Sequence, residues 1–279
     1  MHISLKFAEG FILANLLRLD KYLFDRHLAP SRTVAQGYIS EGRVFVNGIL
    51  ATKVSMQIAP TASVKVTRKE KEWVSRGAHK LLQAFEIFHF DVSGAVALDI
   101  GASTGGFTQV LLEHGAKKVY SVDVGYGQLA WSLRSDKRVV VMERTNARNL
   151  THENFEEQKL DVIVSDASFI SLRLLLPVVQ ELLSEDGFAV LLVKPQFEAG
   201  RQRVGKGVVK DEALHRAILE EVRDFITSDT NLILKDATYS PIKGPEGNIE
   251  FLFLLTKKRE DAGIINFEKL VNEAHINAK

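Results

Sequence analysis

The sequence predicts an α/β protein, a mostly parallel, doubly wound sheet with helices on both faces, preceded by a small α/β unit. Three observations predict it. From residue 96 onward, short apolar runs alternate with helix-length amphipathic stretches, the rhythm of parallel strands joined by crossover helices. A glycine-rich turn, GASTGG, follows the first of those runs, at the carboxyl end where open α/β sheets bind ligands. The charge also changes along the chain: residues 1–69 carry net +6 and the remainder net −5, so a basic head precedes a mildly acidic body, the pattern of a head that meets a polyanion.

The small unit comes first. Residues 1–17 lean apolar without a clear period. Leu19, Tyr22 and Leu23 share one face of a helix over 18–27. Ser31 is placed to cap a second helix, whose stripe of Val34, Ala35, Tyr38 and Ile39 stops at Gly42. RVFVNG, 43–48, alternates like a strand and ends in Asn47-Gly48, a tight-turn pair. Two short strands follow at 54–58 and 62–66, then the charged connector KEKEWV.

In the larger unit a helix over 77–88 leads into strands at 96–100, 119–124, 139–142, 161–165 and 188–193. Helices at 106–114, 128–133, 172–183 and 211–227 alternate with them. Two late strands, 232–239 and 250–255, have no helix between them. Their loop carries Pro241, Gly244, Pro245 and Gly247, which predicts a hairpin closing one sheet edge. An amphipathic helix over 266–275 buries Phe267, Leu270 and Val271. The expected organisation is an extension (1–17), a small domain (18–68), a linker (69–75), the large domain (76–260) and a C-terminal helix (261–279).

Composition excludes several classes. Of 279 residues 46% are hydrophobic and 25% charged, with no cysteine, so disulfides, iron–sulfur clusters, thiolate zinc sites and cysteine nucleophiles fall away. The eight histidines show no ligand spacing, and no metal is expected. The apolar run at 251–255 is far short of the roughly 20 residues a membrane span needs. With no signal-peptide pattern at the N-terminus, the expected location is the cytoplasm and the expected state a monomer without a membrane partner.

The chemistry sits at strand ends. Asp123 ends the second strand, 22 residues after Gly101, where a carboxylate can accept both hydroxyl protons of a ribose. The turn is not GxGxxG, which weakens a dinucleotide reading; of nicotinamide oxidoreductase and S-adenosylmethionine methyltransferase, the glycine pattern, the hairpin-like late strands and the charged strand ends favour the latter. Asp166 follows the fourth strand, Lys194 the fifth, Glu250 opens the last and Lys80 opens the helix before the first. In a doubly wound sheet most of these ends converge on one cleft. Burial and a nearby cation such as Lys80 would lower the Lys194 pKa and Asp166 and Glu250 would raise it, so the sequence does not fix the sign of its shift.

RLDKYL, SRTVAQGYI and GRVFVNG resemble the S4 RNA-binding pattern. WVSRGAHKL, DIGASTGGFT, VDVGYGQLAW, ERTNARNL, SDASFISL, LVKPQFE and GNIEF resemble successive blocks of an FtsJ-like methyltransferase. Together, over nearly the whole chain, they resemble the TlyA family of rRNA 2′-O-methyltransferases, often labelled haemolysins. The resemblance implies a Rossmann-like class I methyltransferase sheet with an antiparallel last strand behind an S4 domain. It implies ribosomal RNA in ribosomal subunits as partner, cytidine riboses as targets and S-adenosyl-L-methionine as cofactor.

It also carries the family's Lys-Asp-Lys-Glu tetrad onto Lys80, Asp166, Lys194 and Glu250, with Lys194 accepting or orienting the hydroxyl proton. Cofactor contacts are expected at Gly101, Ala102, Ser103, Thr104, Gly105, Gly106, Phe107, Asp123, Val124, Asn146, Ala147 and Asp166. RNA contacts are expected at Arg18, Lys21, Arg32, Arg43, Arg203 and Lys206, the last two in the basic loop 200–210. The terminal helix resembles that of longer family members, which act on both ribosomal subunits. The competing readings are a non-catalytic RNA binder with a methyltransferase-like fold and a membrane-active haemolysin.

Overall fold

The computed structural model describes residues 16–67, 72–156, 159–205 and 207–279. Most of the N-terminal extension, the connector residues 68–71 and Lys206 lie outside the described residues. The chain divides into two compact units, Met1–Glu72 and Trp73–Lys279.

The first unit places α1 (Leu19–Asp25) beside α2 (Arg32–Ser40), with strands β1 (Leu17–Arg18), β2 (Val44–Val46), β3 (Ile49–Leu50), β4 (Gln57–Ile58) and β5 (Val64–Val66). Ser31 caps α2 as its position suggests, Oγ accepting from the Val34 N–H at 3.2 Å. Asn47 and Gly48 both take positive φ and turn β2 directly into β3, a strand the sequence did not announce. The sheet order is β3-β2-β5, while β1 pairs with β4. Leu19, Leu23, Ala35, Ile39 and Val44 fill the core.

Asp20, in the first turn of α1, is fully buried. Its carboxylate accepts from Arg18 Nε at 3.1 Å, Arg32 Nη2 at 2.8 Å, Gln36 Nε2 at 2.9 Å and the Lys21 N–H at 2.9 Å. The Arg18 hydrogen bond leads in holding its pKa well below the carboxylate range, against the effect of burial.

The second unit is built around one sheet. Its elements are α3 (Ala78–Phe88), β6 (Val96–Ile100), α4 (Gly106–Glu113), β7 (Lys118–Val122), α5 (Trp131–Arg134), β8 (Val139–Met142), β9 (Leu160–Ser165), α6 (Leu176–Leu182), β10 (Leu183–Val193), α7 (Pro195–Glu198), α8 (Arg201–Val204), α9 (Glu212–Asp229), β11 (Ile233–Tyr239), β12 (Phe251–Thr256) and α10 (Phe267–Asn277). The strand order is β11-β12-β10-β9-β6-β7-β8. Strands β6 to β10 run parallel, and β12 runs antiparallel to both its neighbours. The late pair is therefore antiparallel and closes one sheet edge as expected, with β12 as its inner strand. It inserts between β10 and β11, leaving β11 outermost. Apolar side chains cover both sheet faces, which is why the strands read as continuous hydrophobic runs.

Two further differences have local causes. The helix expected over 172–183 opens as a 3₁₀ turn, Leu172–Leu174, and only then becomes α6, with Pro177 in its first turn, where a missing N–H costs nothing. Helix α10 is not a separate appendage: Phe267, Leu270, Val271 and Ala274 join the main core against α9 and β11. The backbone beyond it is held too, because the Lys243 N–H donates to the Lys279 carbonyl at 2.7 Å.

Replacing Asp20 by Ala removes the acceptor for two arginines and a glutamine. The first unit should lose about 2 kcal/mol of stability, read as a lower urea midpoint. Because the folded pKa is depressed, the wild-type contribution is present at neutral pH and lost as pH falls through the carboxylate range, so Asp20→Ala should differ least from wild type in acid.

Candidate active site

Four charged side chains meet at the carboxyl ends of the central strands. Asp166 follows β9, and its N–H donates to the Ile100 carbonyl of β6 at 3.2 Å. Lys194 follows β10. Because β12 runs antiparallel beside β10, with Phe251 opposite Val193, its first residues lie at the ends of the parallel strands, and Glu250 arrives next to them. Lys80 enters from the first turn of α3.

The four form one alternating chain. Glu250 Oε2 lies 2.7 Å from Lys80 Nζ; Lys80 Nζ lies 3.0 Å from Asp166 Oδ2; Asp166 Oδ1 lies 2.7 Å from Lys194 Nζ. Lys80, Lys194 and Glu250 are buried and Asp166 is half-buried. Burial pulls the Lys80 pKa down, but Asp166 and Glu250 together outweigh it and hold the ammonium above its ordinary value. Lys80 is thereby held as a cation. Lys194 Nζ also donates to the Asp166 carbonyl at 3.1 Å and to Ser168 Oγ at 2.7 Å.

Two adjoining cavities share Gly101, Ser103, Asp166 and Ser168 as lining. The smaller, about 360 Å³, contains Lys80, Asp99 and Lys194, with Arg76 and Lys243 also lining it. The larger, about 850 Å³, is bounded by Asp123, Val124, Thr145, Asn146 and Ala147. Of the other expected cofactor contacts, Ala102, Gly106 and Phe107 line the smaller cavity, whereas Thr104 and Gly105 line neither. Gly105, at φ +100°, sits where a Cβ would come within 2.8 Å of Leu129, so the absence of a side chain lets the turn pack against the 129–133 segment. Asp123 is already held, Oδ2 by the Ser103 N–H at 2.8 Å and Oδ1 by the Gly125 N–H at 2.7 Å.

Several residues of the site were not singled out from the sequence. Asp99 is fully buried in β6. Its Oδ2 accepts from the Thr108 N–H and hydroxyl at 2.9 and 2.7 Å, while Oδ1 is buried with no hydrogen-bond partner among the described residues. Burial raises its pKa to about 7. An acid inside an otherwise apolar strand, VALDI, is a readable signal of function. Ser168, exposed between the two cavities, has no such signal beyond standing two residues after Asp166. Phe169 is 92% exposed at φ +63°, with its ring 5.4 Å from that of Phe197. Buried Glu198 holds the turn after it, accepting from Ser171 Oγ at 2.7 Å and the Leu172 N–H at 2.6 Å. Buried Asn248 ties the basic loop to the segment before Glu250, donating to the Gly207 carbonyl at 3.0 Å and accepting from the Val209 N–H at 2.9 Å.

The cations expected to meet RNA all have acidic partners where described. Arg18 and Arg32 share Asp20, Lys21 pairs with Asp25 at 3.9 Å and Arg203 grips Glu221 at 2.6 Å. Arg43 pairs with Glu41 at 3.1 Å and stacks over Tyr38 at 3.9 Å. Arg18, Lys21, Arg32 and Arg203 remain exposed and Arg43 is half-buried. Lys206 lies outside the described residues. Trp73, at the old linker position, packs on the apolar cluster of the second unit.

A raised carboxyl pKa makes stability fall as pH climbs from the unfolded value toward the folded one. Asp99→Asn should abolish the part of that decline lying between about pH 4 and 7, measured by urea unfolding across that range. A wild-type slope in the variant would refute the assigned titration.

Comparison with known proteins identifies the family. The FtsJ-like methyltransferase family model matches residues 73–257, and the S4 domain model matches 17–64. A 16S/23S rRNA (cytidine-2′-O)-methyltransferase TlyA from Mycobacterium tuberculosis is 46% identical over 266 residues, 94% of this chain and 98% of that protein. A 23S rRNA (cytidine-2′-O)-methyltransferase TlyA from Campylobacter jejuni is 39% identical over 71% of this chain and 76% of its own. The solved structure of a hemolysin-named protein from Streptococcus thermophilus superposes with a TM-score of 0.71 at 39% identity, covering 94% of this chain and 96% of that one.

Proposed function

Because the chain belongs to the TlyA family of FtsJ-like methyltransferases, we propose that it methylates the ribose 2′-hydroxyl of cytidine in ribosomal RNA, with S-adenosylmethionine as methyl donor. The observation that carries the reading is the contiguous chain Glu250–Lys80–Asp166–Lys194, with Lys80, Asp166 and Lys194 lining the smaller cavity and Asp166 shared with the larger. A non-catalytic RNA binder has no need of three buried charges and a half-buried one so arranged, since each buried charge costs desolvation unless paired. Among the described residues no helix is long and apolar enough to cross a membrane. An rRNA substrate puts the protein's work in the cytoplasm.

The residues fit the cofactor. The orphaned Asp99 Oδ1 needs a cationic donor, which the methionine ammonium provides. Asp123 keeps free lone pairs for the ribose hydroxyls, and Asn146 and Ala147 bound the far cavity where the adenine belongs. Bound there, S-adenosylmethionine supplies an electrophilic methyl group that a hydroxyl oxygen can attack directly. The chain's own task is alignment. Lys80, fixed as a cation between two carboxylates, sets a positive field beside the attacked oxygen. Asp166 orients Lys194, and Lys194 takes the hydroxyl proton. Phe169 offers an exposed ring at the mouth, a stacking face for an unstacked base. The cations of the S4 unit and of the basic loop bind phosphate, which gives affinity and register but not sequence.

The reading of a dual target, small and large subunit, rests on coverage. The relative named for both rRNAs aligns with 94% of this chain, and the relative named for 23S alone with 71%.

Unmodified small and large ribosomal subunits, offered separately with labelled S-adenosylmethionine, should both take up label. Lys194→Ala should lose about 10²-fold or more in rate while binding S-adenosylhomocysteine as wild type does; full activity in that variant would remove its assigned role. Deleting residues 1–72 should weaken RNA binding and flatten its dependence on salt, because fewer phosphates are then neutralised. An unchanged slope would mean that another surface grips the RNA.

A further inference from the structure

Among the described residues, Lys194 Nζ has three polar partners: Asp166 Oδ1 at 2.7 Å, the Asp166 carbonyl at 3.1 Å and Ser168 Oγ at 2.7 Å. An ammonium fills all three with its three N–H bonds. To take a proton, however, Lys194 must first be an amine, with two N–H bonds and a lone pair. That lone pair has to point somewhere. Toward the carboxylate or the carbonyl it would face another lone pair, and neither oxygen has a proton to give. Ser168 is the one partner of the three that is donor and acceptor at once. The amine form is therefore matched only when the Ser168 O–H donates into Nζ.

The position of Ser168 extends the argument. Lys194 is buried and lines the smaller cavity but not the larger. Ser168 is exposed and lines both. The outer end of the Lys194–Ser168 pair, where a substrate hydroxyl can arrive between donor cavity and tetrad, is thus the serine oxygen and not the amine.

We propose that Ser168 is a catalytic residue that receives the 2′-hydroxyl proton and hands its own to Lys194; this rests on the reading of Lys194 as the base. In that step the O2′–H bond breaks as Ser168 Oγ takes the proton, and the Ser168 O–H proton moves to Nζ. The electron pair left on O2′ forms the bond to the methyl carbon. The carbon–sulfur bond of the donor breaks with its pair staying on sulfur. The positive charge leaves the sulfonium and ends as the Lys194 ammonium, and Ser168 is again a neutral hydroxyl.

The test uses the full chain with unmodified ribosomal subunits in single-turnover methyl transfer, comparing Ser168→Ala, Ser168→Thr and Lys194→Ala. Ser168→Ala should slow transfer about 10²-fold with S-adenosylhomocysteine and RNA affinities unchanged, and Ser168→Thr, which keeps a hydroxyl, should recover most of the rate. A second readout needs no cofactor. In Ser168→Ala the amine lone pair is unmasked, so acylation of Lys194, followed by mass spectrometry, should be faster than in wild type.

Wild-type turnover in Ser168→Ala with an inactive Lys194→Ala would overturn the relay and leave Lys194 as base. Activity in Lys194→Ala would remove that base and the relay with it. Equal losses in Ser168→Ala and Ser168→Thr, a loss confined to RNA affinity, or unchanged acylation of Lys194 would each overturn the proposal.

Discussion

The alternation of charge from Glu250 through Lys80 and Asp166 to Lys194 is the constraint on which the rest of the second unit depends. Four ions placed where water is scarce are tolerable only as neighbours of opposite sign, because an unpaired buried charge destabilises a fold by several kcal/mol. Each ion comes from a different element, so the pairing holds only if α3, β9, β10 and β12 are all in register. The antiparallel insertion of β12 satisfies this. A parallel last strand would deliver its first residue to the opposite end of the sheet, leaving Lys80 with one carboxylate and the cluster with net positive charge.

The same pairing separates the two lysines. Lys80 lies between two carboxylates, which keep it charged against the effect of burial. Lys194 has one carboxylate, a carbonyl and a hydroxyl. One nitrogen lies between two anions, and the other faces one anion and two neutral oxygens. Identical side chains thus take different parts because of what lies within 3 Å or so of each nitrogen, as environments do for paired acids elsewhere.

Much of this was legible in the sequence, for a physical reason. Strands buried on both faces announce themselves as apolar runs, and β6 and β8 match the expected residues in full. Charged residues immediately after such runs, Asp166 and Lys194, are readable because so few polar groups are allowed there. The parts that escaped depend on distance across the fold. Gly105 reads as a ligand glycine, but it is closed against Leu129. Arg18 and Arg32 read as free cations, but both are engaged by a buried aspartate fixed by helix pairing. Ser168 and Lys243 have no marker at all along the chain, since a hydroxyl or a loop lysine gains meaning only from what it faces. The place of β12 inside the sheet is likewise a matter of long-range pairing, which local alternation does not encode.

That insertion has a consequence for the order of synthesis. The chain emerges from the ribosome with Lys80, Asp166 and Lys194 made early and Glu250 late, and β11 has no bonded neighbour in the sheet until β12 slots between it and β10. The segment from β11 onward therefore does not decorate a finished fold. It supplies the anion that completes the charge chain and the strand that joins β11 to the rest. A nascent chain still lacking residue 250 holds three of the four ions and carries one excess positive charge among them.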